Sequence, residues 1–247
     1  MTYIKSEGFV LRTQPYKEGD RLVTLYTLEN GLLHCIAKGS RKLKSRTCSL
    51  LQPYYKNFFV LYRSPNRELF TITQASAINP HNALREDIKK YTIVCAMTEV
   101  LVNYLEAEEK DTFLYHLLEH CITRLEANDE PKTLFRIFEF RFIAHSGYMF
   151  QLHYCVCCKR YIKRPELFSV KRGGIICQKC VKEREIIRIG PGTLSFLEKV
   201  FREPLKNLVR FKLGGSTERI IDKISQFTHK FYTGKKINSV EFLTCIK

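Results

Sequence analysis

Four cysteines place the tightest constraint on how this chain can fold. Cys155-x2-Cys158 and Cys177-x2-Cys180 are separated by 18 residues. The backbone turn of a Cys-x-x-Cys motif directs two thiolates to one point, so two such turns predict a tetrahedral site of four sulfurs for a structural Zn²⁺. Gly173-Gly174 supplies the backbone freedom that a tight entry to the second turn requires.

The remaining cysteines and the nearby histidines leave alternatives open. Cys157 is read as a bystander thiol, and the alternative is that it serves as a ligand with Cys155 or with a histidine. For the cysteine cluster as a whole, a redox switch is the alternative to a metal site. His145 and His153 are expected at the surface or at helix ends rather than as ligands. Three further cysteines are assigned to the core, namely Cys35, Cys95 and Cys121. Two have no assigned role, namely Cys48 and Cys245.

The charge of the chain is high and unevenly spread. Lys and Arg number 41 against 25 Asp and Glu, a net charge of +16 that points to a polyanionic partner, nucleic acid first and an anionic membrane second. Residues 1–80 hold 12 basic and 5 acidic groups, residues 81–150 hold 8 and 12, and residues 151–247 hold 21 and 8. Basic residues flank the cysteines, where they should lower the thiol pKa values: Lys159, Arg160, Lys171, Arg172, Lys179 and Lys182.

The first 80 residues predict a small closed antiparallel β-barrel of five short strands. Glu29-Asn30-Gly31 is a strong hairpin signal, because Asn-Gly accepts positive φ at low cost. The strand count does not distinguish an OB-fold from an SH3-like barrel. The predicted strands are Gly8–Thr13, Arg21–Thr27, Leu32–Ala37, Phe58–Tyr62 and Leu69–Thr73.

From residue 81 the apolar period becomes helical. The pattern predicts helices over 87–106, 112–125 and 131–146, with Asp111 as an N-cap and Pro131 in a first turn. The third helix is apolar nearly all round, so it should be the most buried. Helices resume at 191–202 and 217–233. The class is α+β, with a barrel at 1–80, a helical domain at 81–150, a zinc-finger-like four-cysteine element at 151–190 and C-terminal helices at 191–247 that pack on the helical domain.

The basic loop Lys38–Arg46 carries five positive charges in nine residues. Charge and small hydroxyl groups suit contacts to phosphates and do not suit the reading of base edges. Tyr16, Tyr54 and Tyr55 either stack on bases or pack against the barrel. The candidate nucleic-acid-binding residues are Lys38, Arg41, Lys42, Lys44, Arg46, Arg12 and Arg21.

Catalytic and membrane signatures are missing from the sequence. It contains no Walker-type loop, no Gly-x-Ser-x-Gly, no His-Glu-x-x-His and no zinc-deaminase pattern, so we expect no enzyme. It has no apolar run of membrane-spanning length and no signal-peptide pattern, so we expect a cytoplasmic protein with reduced thiols. A metal-dependent nucleic-acid enzyme is a rival hypothesis that the closed site of four sulfurs argues against.

An ordered set of short motifs along the chain resembles the RecO family. It consists of Phe9-Val10-Leu11-Arg12-Thr13, Glu18-x-Asp20, Leu25-Tyr26-Thr27-x-Glu29-x-Gly31, Ala37-Lys38-Gly39, Leu51-Gln52-Pro53, Gly147-Tyr148, the two Cys-x-x-Cys motifs with Gly173-Gly174, and Phe231-Tyr232-Thr233-Gly234-Lys235-Lys236 with Ser239 and Phe242-Leu243. The resemblance covers essentially the whole chain.

This resemblance implies an OB-fold barrel and a recombination mediator of bacterial DNA repair in the RecF pathway. Such a protein binds single- and double-stranded DNA, anneals complementary strands, and contacts RecR and the C-terminal tail of single-strand-binding protein. It thereby helps to load RecA onto strands coated by that protein. Lys206, Arg210 and Lys212 are either a surface for the tail or a solvated basic face. The alternative function is a zinc-ribbon RNA-binding protein of the translation apparatus.

Overall fold

A closed five-stranded barrel occupies the N-terminal part of the computed structural model, which describes residues 2–42, 45, 47–65, 67–164, 166–182, 185–208 and 213–228. The strand order is β1-β2-β3-β5-β4, and β1 closes the barrel by pairing with both β2 and β4. The strands are β1 (Thr2–Tyr16), β2 (Asp20–Thr27), β3 (Gly31–Ala37), β4 (Lys56–Arg63) and β5 (Phe70–Asn79).

The predicted barrel is confirmed, with two differences. The strands are longer than the apolar runs that predicted them, and β1 in particular begins six residues earlier and includes the exposed residues Tyr3 and Lys5. The expected pairing was antiparallel throughout, whereas β3 and β5 run parallel where Cys35 pairs with Phe70. The Asn30-Gly31 hairpin joins β2 to β3 as expected, and Gly31 has φ of 64°.

Alternate residues of each strand fill the barrel. Because successive side chains point to opposite faces of a sheet, the inward positions of β2 and β4 bury Val23, Leu25, Phe59 and Leu61 almost completely. Cys35 is buried in the same core, as the sequence predicts.

The helices begin near their predicted positions. They are α1 (Ile88–Tyr104), α2 (Thr112–Glu126), α3 (Pro131–His145), α4 (Pro191–Arg202) and α5 (Gly215–Thr228). Asp111 caps α2 by accepting the N–H of Leu114 at 2.9 Å, and Pro131 occupies the first turn of α3. The part of the 217–233 prediction beyond residue 228 lies outside the described residues.

Helix α3 is buried along residues 133–140, which confirms its central place. This burial includes an ion pair, because Arg136 lies 2.9 Å from Glu139 and 2.7 Å from Asp222. Ser225 donates a hydrogen bond to Glu139 at 2.7 Å. A buried carboxylate at 1% exposure is thereby matched by a cation and a hydroxyl.

The chain divides into two compact units, residues 1–122 and 123–247. In the first unit Tyr115 packs on Phe9 and Tyr26, with ring centroids 5.5 and 5.9 Å apart. Lys56 lies 3.1 Å from Glu7 and 2.6 Å from Glu119, so the barrel and the middle of α2 share a charged contact. The finer division at residues 80, 150 and 190 remains a prediction.

The second unit contains a three-stranded sheet around the cysteines. Its strands are β6 (Leu167–Ser169), β7 (Gly174–Ile175) and β8 (Ile187–Arg188), in the order β7-β6-β8. Phe168 in the middle strand is fully buried and packs edge-on against Phe150, with ring centroids 5.1 Å apart. These short strands depend on this apolar contact, since two-residue strands are not stable alone.

Candidate nucleic-acid interface and metal centre

The basic loop after β3 is fastened to the turn between β1 and β2. The Arg41 guanidinium donates to the carbonyl oxygens of Lys17 at 3.1 Å and Glu18 at 3.3 Å. The Gly39 N–H donates to the Asp20 carboxylate at 2.8 Å. Two loops that are about 20 residues apart in sequence therefore form one surface at this end of the barrel.

The candidate nucleic-acid-binding residues differ in their exposure to solvent. Lys38, Arg41 and Lys42 are exposed on this surface, and Arg12 is exposed on β1 opposite Thr24. Arg21 is half-buried and donates to the Cys48 carbonyl at 3.3 Å, so it supports the loop from below. Lys44 and Arg46 lie outside the described residues.

Three further exposed basic or titratable residues were missed by the sequence analysis. Lys17 lies in the β1–β2 turn, with its Nζ 5.4 Å from the centroid of the Tyr16 ring. His34 is exposed on β3 in the register row that contains Thr24. Arg67 is exposed in the β4–β5 turn. By analogy of fold, OB barrels bind oligonucleotides on the face of strands 2 and 3 and on these two loops.

The three tyrosines near the loop differ in burial, because Tyr54 is buried whereas Tyr16 and Tyr55 are half-buried. Tyr54 is only 5% exposed, and its hydroxyl lies 2.9 Å from the Cys95 sulfur. Burial raises the pKa of Tyr54, with a further contribution from Cys95. Tyr55 is half-buried below the Arg85 guanidinium at 4.4 Å. The packing alternative is thus correct for Tyr54.

The four predicted ligand cysteines meet in the second unit. The sulfurs of Cys155, Cys158, Cys177 and Cys180 all lie within 4.8 Å of one another. Cys158 Sγ and Cys177 Sγ are 3.8 Å apart, which equals the separation of about 3.8 Å between two sulfurs on a Zn–S tetrahedron. Within the described ranges, this is the one group of His, Cys, Asp or Glu side chains close enough to share a metal.

Local backbone geometry brings the cysteines together. Lys159 follows the first pair with φ of 59°, and Gly173 precedes the second pair with φ of 70°, which favours glycine. Gly174 lies so close to Gln151 that a Cβ would stand 2.4 Å from its carbonyl oxygen. The Gln151 segment leads into Cys155, so this approach sets the distance between the two Cys-x-x-Cys turns.

The donor set fits a metal cation. Burial opposes ionisation of Cys155, but N–H groups of Cys158, Cys177 and Cys157 donate to its sulfur, and its pKa falls to about 6. Hydrogen bonds with the sulfurs of Cys177 and Cys158 raise the pKa of Cys180 to about 12. Four thiolates this close repel each other unless a cation neutralises them, so the site could hold a metal ion.

The other cysteines that the structure describes and the two nearby histidines lie outside the group of four sulfurs. Cys35 and Cys121 are fully buried, as expected for core residues, while Cys95 is half-buried beside Tyr54. Cys157 is half-buried and lies outside the sulfur cluster. Cys48 is half-buried and Cys245 lies outside the described residues. The two histidines are also outside the cluster: His145 is exposed, and His153 contacts Arg202 at 2.9 Å and Glu198 at 3.4 Å.

None of the described helices has the length and apolar character needed to cross a bilayer.

Two family models match the chain. The model described as Recombination protein O N terminal matches residues 1–81, and the one described as Recombination protein O C terminal matches residues 85–241.

Several curated proteins are similar to this chain over nearly its full length. The DNA repair protein RecO of Oceanobacillus iheyensis is 30% identical over 241 residues, which cover 97% of this chain and 92% of the relative. The protein of the same name from Caldicellulosiruptor bescii is 27% identical over 247 residues, with full coverage of both chains. That of Desulforamulus reducens is 27% identical over 245 residues, covering 98% and 94%.

Proposed function

The chain belongs to the RecO family of DNA repair proteins, and from that premise we propose that it is a non-enzymatic recombination mediator. It binds and anneals single-stranded DNA in the cytoplasm, close to the nucleoid, and helps to load RecA onto strands coated by single-strand-binding protein. The relatives carry the name of a DNA repair protein, and the finer activity is our proposal.

One observation supports DNA binding most strongly. Lys17, Lys38, Arg41 and Lys42 all lie exposed at the joined loops of a closed barrel, and Arg12 extends the positive charge along β1. Each ammonium or guanidinium group can replace a counterion at a phosphate, so this surface binds a nucleic-acid backbone without regard to sequence.

Charge also supplies the physical basis of annealing. Two complementary strands repel each other until their phosphates are neutralised, and a surface that releases counterions lowers this repulsion. Pairing of the bases then proceeds without any catalytic group on the protein. We therefore assign the barrel surface to strand binding and no residue to chemistry.

The four cysteines are proposed to hold a structural Zn²⁺. Four protein ligands leave no open coordination position, so the site would be structural. When bound, the ion would hold the two Cys-x-x-Cys turns together and so contribute to folding. The residues of this chain fix where the sulfurs meet, through the close contact of Gly174 with Gln151.

The proposed partners are single- and double-stranded DNA, RecR, the acidic C-terminal tail of single-strand-binding protein and, indirectly, RecA. For the tail we propose the cleft of about 220 Å³ between residues 149–153 and α4. Its lining includes the apolar side chains of Phe150 and Phe201 and the polar side chains of Arg202, His153 and Glu198. Of the basic residues considered first, Lys206 is exposed, while Arg210 and Lys212 lie outside the described residues.

The DNA-binding assignment is tested by removing the barrel charges. Lys38→Ala, Arg41→Ala and Lys42→Ala together should make the negative slope of log affinity against log salt shallower by about 2 for single-stranded DNA. Because Arg41 also joins the two loops, a variant of Lys38 and Lys42 alone separates charge from loop geometry. This double variant should make the negative salt slope shallower by about 1.4.

The matched control removes three exposed lysines elsewhere, namely Lys89, Lys110 and Lys223. It makes the same change in net charge but should leave the salt slope close to that of the wild type. Equal slopes for the barrel variant and the wild type would show that the joined loops do not bind DNA. An equal loss in both variants would show that net charge alone attracts the strand.

A further inference from the structure

The face of the four-cysteine element has no part in the function proposed above. Residues 154–182 contain eight Lys or Arg and one acidic residue, Glu166. All eight basic side chains are exposed. Across the described part of the chain, no acidic side chain forms an ion pair with Lys159, Arg160 or Lys163. Such a density of positive charge on a small element favours a polyanionic ligand.

Two tyrosines stand exposed within this charge. Tyr154 and Tyr161 are 48% and 59% exposed, and their ring centroids are 5.6 Å apart at an angle of 65°. They face each other across an antiparallel bridge, so both rings emerge on the same side. Neither ring is needed to fill the core.

Backbone hydrogen bonds hold the two rings in place. The Cys155 N–H donates to the Arg160 carbonyl at 2.8 Å, and the Ile162 N–H donates to the His153 carbonyl at 3.0 Å. The hairpin that contains the first Cys-x-x-Cys therefore presents a fixed aromatic pair. A platform fixed before binding loses little conformational entropy when a ligand stacks on it.

Exposed aromatic rings among lysines and arginines have the chemistry of a single-strand binding site. Bases that are not already stacked in a duplex can stack on the rings, while Lys159 and Arg160 lie beside them in sequence to contact phosphates. A duplex hides its base faces and would use only the charges. An acidic peptide would likewise leave both rings without a stacking partner.

We propose that this face, defined by Tyr154, Tyr161, Lys159 and Arg160, is a second binding site for single-stranded DNA, separate from the barrel surface. The choice of DNA rather than RNA rests on the proposed function. Two sites in one chain would allow each of two strands to be held, which is what annealing requires. The site lies on the four-cysteine element, so metal binding would also preserve the stacking platform.

The chain contains no tryptophan, which permits a direct test with a single reporter. Tyr161→Trp in the full, metal-loaded protein should show fluorescence quenching when an oligothymidylate of about 20 nucleotides is added. Ile88→Trp is the matched control, because Ile88 is 56% exposed in the acidic part of the chain. Its fluorescence should stay unchanged.

Two double variants separate stacking from a loss of structure. Replacing Tyr154 and Tyr161 with Phe keeps both rings and should keep the affinity for the oligothymidylate at this site. Replacing both with Ala should weaken it about tenfold, with metal content and circular dichroism unchanged. The affinity is measured in the Lys38/Arg41/Lys42 alanine background, so that the barrel does not mask the effect.

The outcomes distinguish this inference from the proposed function. If the wild type binds the oligothymidylate but the Tyr161→Trp reporter is not quenched and the Ala variant binds like the Phe variant, the second site is refuted and the barrel assignment stands. If the same reporter is quenched in the barrel variant as well, the second site is independent and supported. Quenching that is lost with the barrel charges would refute a separate site. Absence of any single-strand binding by the wild type would refute both.

Discussion

Replacing Gly174 with Ala should destabilise the four-cysteine element by about 2 kcal/mol. An added Cβ would lie 2.4 Å from the Gln151 carbonyl oxygen, whereas carbon and carbonyl oxygen rest at about 3.3 Å. The two segments must therefore separate by about 1 Å. Two hydrogen bonds of 2.8 Å join them, from Ile175 N–H to the Gln151 oxygen and from Gln151 N–H to the Gly173 oxygen. At about 1 kcal/mol each, their loss gives the stated value.

The same shift should weaken metal binding. Gln151 leads into Cys155 and Gly174 leads into Cys177, so a separation of their segments moves the two pairs of sulfurs apart. Urea unfolding of the full chain measures the stability, and metal per chain after dialysis against a weak chelator measures retention. We expect a lower urea midpoint and less retained metal.

Gly190→Ala is the matched control, because φ at Gly190 is −107° and an added Cβ meets no atom within 4 Å. Because Gly190 is the N-cap of α4, where Ala is less favourable than Gly, this variant should lower the urea midpoint less than Gly174→Ala does and should leave retained metal within error of the wild type. If Gly174→Ala kept the wild-type midpoint and metal content, the close approach would not limit the geometry of the sulfur site. The reasoning from backbone distance would then be wrong.

Two other perturbations test the charged contacts. Arg136→Leu removes the cation from the buried Glu139 and should cost about 3–5 kcal/mol in urea unfolding. Lys132→Leu, at the pair with Glu218 where the lysine is exposed, should cost less than about 1 kcal/mol, and similar costs would contradict the burial argument. Burial opposes ionisation of Glu119, but hydrogen bonds and charge from Lys56 and His116 together outweigh it and lower the pKa of Glu119 below its ordinary value of 4.5. These contacts therefore stabilise the fold above pH 4.5, and the contribution is lost as the pH falls through the lowered pKa. Urea midpoints measured from pH 7 down to about 3 should fall less steeply for Glu119→Gln than for the wild type, and parallel curves would refute the assignment.

Much of the architecture follows from local signals. The Asn30-Gly31 turn, the Asp111 cap and the position of Pro131 each act within a few residues, so sequence places the hairpin and two helix starts correctly. The four cysteines were also found from spacing, since a Cys-x-x-Cys turn fixes its own two sulfurs. Only the distance between the two turns needed the structure.

Long-range contacts account for what the sequence did not reveal. The sequence does not reveal the buried pair of Arg136 and Glu139, because its partners Asp222 and Ser225 are more than 80 residues away. The parallel β3–β5 contact depends on closure of the whole barrel, which alternation along a strand does not report.

The same distinction applies to the candidate DNA surface. Arg21 is in the basic set by sequence, yet the return of the chain at Cys48 engages its guanidinium. Lys17 was overlooked because a lone lysine in a turn carries no signal until Arg41 joins its turn to the basic loop. Three-dimensional proximity, rather than composition, defines this surface.

Strand annealing on coated DNA tests the central proposal most directly. Complementary single strands are covered with single-strand-binding protein, either intact or lacking its acidic C-terminal tail. The RecO-family chain is then added, and duplex formation is followed. On strands coated with the intact single-strand-binding protein, we predict faster annealing with the mediator than without it. On strands coated with the tail-less protein, this acceleration should be clearly lost. Annealing that is no faster than the spontaneous reaction on both coats would contradict the account.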